Sequence, residues 1–101
     1  MHETTGRFES EHGQKYMTQL CKHFAHKIEV TFSERHAECL FPFAKAVMDA
    51  DDSGLTIHLV APDGEQLARA KSVIDDHLVR FAFREADKST AWSACPRRGE
   101  A

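Results

Sequence analysis

The sequence has no long apolar run, no paired-cysteine spacing and no surplus of positive charge, and each absence removes a class of function. Apolar residues make up 42% of the 101 residues, yet they stand in runs of only a few. A bilayer span needs roughly 20 in succession, so no membrane-crossing segment is expected. The cysteines number three, Cys21, Cys39 and Cys95, and none forms a CxxC. That pattern offers neither a disulfide framework nor a zinc finger. Reduced thiols fit a cytoplasmic chain, as does a start at Met1 to Thr5 that lacks the basic-then-apolar order of a signal peptide. The formal charge is −3, with acids and bases interspersed. Domains that bind nucleic acid usually carry a basic excess, so nucleic acid is not an expected partner. GxSxG, Walker, HExxH and dinucleotide-binding patterns are also missing, which makes enzyme activity the less favoured expectation.

What is present is one domain's worth of patterned chain. Arg7 to Glu9 predict at most a brief first strand. Ser10 is placed to cap a helix, Gly13 weakens its start, and Tyr16, Met17, Leu20 and Phe24 recur on one helical face. The spacing predicts this helix over residues 11–26. Ile28, Val30 and Phe32 alternate as a half-buried strand. Ala37, Cys39, Phe41 and Phe43 alternate next, with Pro42 near the end because it cannot donate to a ladder. Residues 44–49 form a weaker run. Asp51 to Gly54 spell a turn, and Leu55, Ile57 and Leu59 give the clearest strand. Asp63 and Gln66 stand at capping-box spacing before a helix over residues 64–81 that carries Leu67, Ala70, Ile74, His77, Leu78 and Phe81 on one face.

The expected order is (β)αββββα. It describes an α+β domain with a four-stranded antiparallel meander, open to a fifth short N-terminal strand, and two helices packed on one face. The domain is expected over residues 1–86. Residues 87–101 read as a disordered tail, with Trp92 exposed or loosely docked.

Two stretches concentrate groups that can do chemistry. The first is Gln19-Leu20-Cys21-Lys22-His23-Phe24-Ala25-His26-Lys27. The second is His77-Leu78-Val79-Arg80-Phe81-Ala82-Phe83-Arg84-Glu85. With Tyr16 and Phe41-Pro42-Phe43, these stretches resemble a bacterial family known as domain of unknown function 2218, and the likeness covers about residues 4–86. The resemblance implies a small stand-alone protein, or a segment of the kind joined to siderophore-interacting flavoproteins, and hence a role near iron handling. It supplies no catalytic residues. An aldolase label attached to some relatives does not fit, because such barrels need about 250 residues. Where the family pattern leads one to expect a glycine after Phe43, this chain has Ala44.

The residues themselves leave several readings open. Helical spacing of about 100° per residue sets His23 and His26 about 60° apart, close enough to share a metal ion, with Cys21 on the far side. Lys22, His23, His26, His77, Arg80 and Arg84 are the candidate ligand-binding set for a small anionic ligand such as a carboxylate, phosphate or catecholate. The same cations could instead satisfy carbonyls at helix C-termini. In a simple meander the two helix ends would lie at opposite edges of the sheet, giving two separate patches. Cys39 reads as a buried, inert thiol, and Cys21 flanks the apolar stripe. The open sheet face would carry Glu29, Thr31, Glu38, Leu40, Thr56, His58 and Val60. The favoured expectation is a small cytoplasmic binding or accessory module, monomer or homodimer, with a siderophore-interacting flavoprotein or a small anion as partner. A metal- or thiol-dependent enzyme and a structural dimer partner are the alternatives. No cofactor can be named.

Overall fold

The computed structural model describes residues 2–81 and 91–92. Its elements are β1 (His2–Glu9), α1 (Gly13–Phe24), β2 (Glu29–Phe32), β3 (His36–Phe41), β4 (Ala44–Asp51), β5 (Gly54–Ala61), α2 (Gly64–Phe81) and β6 (Ala91–Trp92). They form one antiparallel sheet in the order β2-β3-β4-β5-β1-β6, covered on one face by both helices. No helix among the described residues is long and apolar enough to cross a membrane.

The α+β class and the meander β2 to β5 follow the expected order. The optional first strand takes its expected place but is longer than the brief run expected. β1 is eight residues long and pairs with β5 along its whole length, from His2 opposite Ala61 to Glu9 opposite Gly54. Thr4 and Gly6 stand on its covered face where larger apolar residues would have announced a strand. The weak run after Pro42 is likewise a full strand through Asp51, with Ala44, Ala46, Met48 and Ala50 turned to the core. Alanines there leave little side chain between β4 and α1, which packs directly across it. Ala44 itself pairs with Phe41, so Pro42-Phe43 is a two-residue turn and the position after Phe43 already belongs to a strand that needs no glycine.

Burial on α1 recurs at Gly13, Tyr16, Met17, Leu20, Cys21 and Phe24, and on α2 at Leu67, Ala70, Ile74 and Leu78. These are the three- and four-residue spacings of one helical face. Cys21 therefore lies inside the core rather than at its flank. Leu20, Ile57, Leu59 and Ile74 are fully buried; removing such a side chain from water contributes about 1.5–3 kcal/mol. α1 is shorter than expected and begins at Gly13. Ser10 does not cap it: Ser10 Oγ accepts from the His12 amide at 3.0 Å, and the Ser10 amide donates to the Ser53 carbonyl at 3.0 Å. Ser10 thus ties the end of β1 to the β4–β5 turn. β2 is a sheet edge, and Phe32 at its end is 42% exposed.

The open face is more charged than the expected list, because β1 and β4 contribute to it. Arg7 pairs with Asp51 at 3.0 Å, His36 with Asp49 at 2.7 Å, Lys45 with Glu38 at 3.6 Å and His58 with Glu3 at 2.9 Å. Carboxylates and basic side chains thus satisfy one another across this face.

Candidate functional site

The two helix ends meet. α1 starts against Gly54 and must deliver the chain to the far edge strand, so it crosses β5, β4, β3 and β2 obliquely. α2 lies on β5, β1 and β4, and from it the Arg69 guanidinium reaches to 4.4 Å above the Phe43 ring in the β3–β4 turn. The two paths bring the His23 and His77 rings to 4.5 Å between centroids. The expectation of two separate patches, built on helices parallel to the strands, is thereby corrected.

Around this contact the rings form a continuous cluster. Phe24 lies 5.0 Å from His77 and 5.1 Å from Phe41, and Phe41 lies 5.4 Å from Phe43. Phe81 closes the other side, 6.3 Å from His23 and 6.4 Å from His77. Phe24 is buried, His77, Phe41, Phe43 and Phe81 are half-buried, and His23 is exposed. Arg69, Phe41 and Phe43 were not among the residues expected at a site. The Phe-Pro-Phe triplet at a hairpin tip was their only sequence signal.

His77 Nδ1 lies 2.7 Å from the Val73 carbonyl. A carbonyl can only accept, so Nδ1 carries the proton in this contact and Nε2 is left free. The ordinary pKa of His23 is lowered, first by desolvation against its ring neighbours, then by the charges of His77, Lys27, His26 and Arg80. All of those neighbours are cationic or become so on protonation. No described acid opposes them at His23.

The cations are not consumed by capping α1. Its last carbonyls are taken by backbone amides of the departing chain: Ala25 donates to Cys21 at 2.9 Å, His26 to His23 at 3.3 Å, and Lys27 and Ile28 each to Phe24 at 2.9 Å. Ion pairs among the described residues engage Arg7, His12, Arg35, His36, Lys45 and His58, and leave out Lys22, His26, Lys27 and Arg80. Asp75, on the same helix as Arg80, accepts from Trp92 Nε1 at 3.0 and 3.1 Å. Arg84 lies outside the described residues, as do residues 82–90 and 93–101 with Cys95.

A metal held by His23 and His26 fares less well. α1 ends at Phe24, so His26 stands beyond the helix, and the helical angle between the two imidazoles does not apply. Among the described residues no group of three or more His, Cys, Asp or Glu is placed to hold an ion. The cations that surround His23 would also repel one. Cys21 and Cys39 are free and buried. A hydrogen bond with Cys21, together with burial, pushes the Cys39 thiol up, which makes it a poor nucleophile; the same hydrogen bond lowers the Cys21 thiol, which stays buried.

The NMR structure of PA4090 from Pseudomonas aeruginosa is similar over 92% of this chain and 96% of that one, at 30% identity and a TM-score of 0.77. No curated protein matches. A family model described as an uncharacterized protein conserved in bacteria, domain of unknown function 2218, matches residues 5–93, and the chain belongs to that family.

Proposed function

We propose that this chain is a small binding module whose ligand seat is the junction of the two helix ends, and whose ligand is a small anion with a flat or apolar body. The observation that carries this reading is the meeting of the His23 and His77 rings, 4.5 Å apart, at helix ends whose Lys22, His26, Lys27 and Arg80 enter no ion pair among the described residues. The rings of His23, His77 and Phe81 supply a face, and Lys22, His26, Lys27 and Arg80 supply donors for a carboxylate, phosphate or catecholate. The resemblance to segments joined to siderophore-interacting flavoproteins makes anionic iron chelates the first ligands to try.

The test is a calorimetric titration with a ferric catecholate complex and with the metal-free catechol acid. Replacing His23 and His26 together with alanine removes two groups from the seat without touching the buried helix face. Hydrogen bonds to charged groups contribute about 1.5–3 kcal/mol each, so affinity should fall about tenfold or more. Unchanged affinity in a folded double variant would overturn the assignment of the seat.

A further inference from the structure

The contact at the centre of the junction implies a further property of the same seat. Two imidazoles stand 4.5 Å apart on different elements. The rings of His77 and Phe81 on α2 and of Phe24 on its own helix stand against His23, and the charges of Arg80 on α2 and of His26 and Lys27 in the turn beyond α1 act on it. A proton placed on His23 in the empty seat is one more positive charge among cations. The same proton with an anion in the seat is a counter-charge at short range. The geometry points to anion binding that is coupled to protonation: as the anion enters, the His23 imidazole takes up one proton. This rests on the seat proposed above and adds its regulation, a module that grips its ligand more tightly in acid and releases it as the pH rises.

The lowered titration of His23 in the empty seat has the sign this coupling needs. An anion removes the electrostatic part of that depression. Each unit by which the titration point rises on binding corresponds to a tenfold gain in affinity, reached once the pH is below both values.

The experiment uses a naphthalenesulfonate as probe. Its sulfonate stays ionised from pH 5 to 8, so any change in affinity belongs to the protein. Titrations in two buffers of different ionisation enthalpy count protons taken up per ligand bound. Uptake that peaks at about half a proton per ligand, as a rise of about one unit gives, affinity several-fold tighter at pH 5 than at pH 8, and loss of the uptake in His23→Gln would support the coupling. Binding without proton uptake, or uptake that survives in His23→Gln, would overturn it and leave the anion seat standing. No binding at any pH would overturn the seat as well. A ring-proton titration of His23 by NMR, with and without probe, gives a readout that holds even where the variant is destabilised; an unmoved midpoint also overturns the coupling.

Discussion

Gly13 and Gly64 are both the first residue of a helix, and only their surroundings distinguish them. A Cβ on Gly13 would lie 2.3 Å from the Gly54 carbonyl oxygen and 2.5 Å from its carbon, whereas a Cβ on Gly64 would meet nothing within 4 Å. Alanine is favoured over glycine in a helix by about 1 kcal/mol, so propensity alone predicts gain at both sites. At Gly13 the obstacle is backbone, which cannot rotate aside, and overpacking of this kind typically costs about 1–3 kcal/mol. Gly13→Ala should therefore lose about 1–3 kcal/mol in urea unfolding, while Gly64→Ala should be neutral or gain up to about 1 kcal/mol. Equal effects would show that the β4–β5 turn gives way freely. Read as sequence, Gly13 was only a weak helix start; the partner that makes glycine necessary is some forty residues away. Asp63 was legible because its partner is local: its carboxylate accepts the Gln66 amide at 2.8 Å. The reciprocal half of that capping box is absent, since Gln66 Oε1 is buried without a partner.

Among elements, the helices and the β2–β5 hairpins were readable because their signals are periodic and short in range. β1 is legible only as a brief run at its end and β6 not at all, because each exists through pairing with distant chain. β6 has two residues and no pattern of its own. It pairs Trp92 with Gly6 and Ala91 with Arg7, and Trp92 packs against the core while its indole N–H donates to both carboxylate oxygens of Asp75 on α2. The expectation of an exposed or loosely docked Trp92 is corrected by that anchor. Asp75→Ala should detach the strand: hydrogen bonds to a charged group contribute about 1.5–3 kcal/mol, and the chain's one tryptophan reports directly. Its emission should shift to the red and the unfolding midpoint should fall. Emission unchanged from the parent would mean that sheet pairing alone holds Trp92.

For the whole molecule, pH acts through groups on opposite sides of the sheet. The junction could not be read from the sequence because it depends on both helices crossing the strands obliquely, and a one-dimensional pattern carries no crossing angle. His36, on the open face, is held up by Asp49 and Glu38. The folded chain then binds the proton more readily than the unfolded chain. Its contribution is full below the ordinary histidine value of about 6.5 and is lost as pH rises through the raised value. His23, beneath the helix ends, is depressed. On acidification the unfolded chain is protonated there first, so stability erodes as pH falls below about 6.5. Asp51 is held well below the carboxylate range, chiefly by its hydrogen bonds from Arg7, and its contribution is lost only in stronger acid. Between pH 8 and 5 the two histidines therefore oppose each other. In low-salt buffer, where exposed charge pairs are least screened, His36→Gln should make Tm fall more steeply on acidification than in the parent. His23→Gln should make it fall less or rise. Parallel Tm curves for the three proteins would show that neither histidine carries the coupling. A saturating arylsulfonate added to the parent should flatten the same limb that His23→Gln flattens, because an anion and a neutral side chain both relieve the charge crowded at the helix junction.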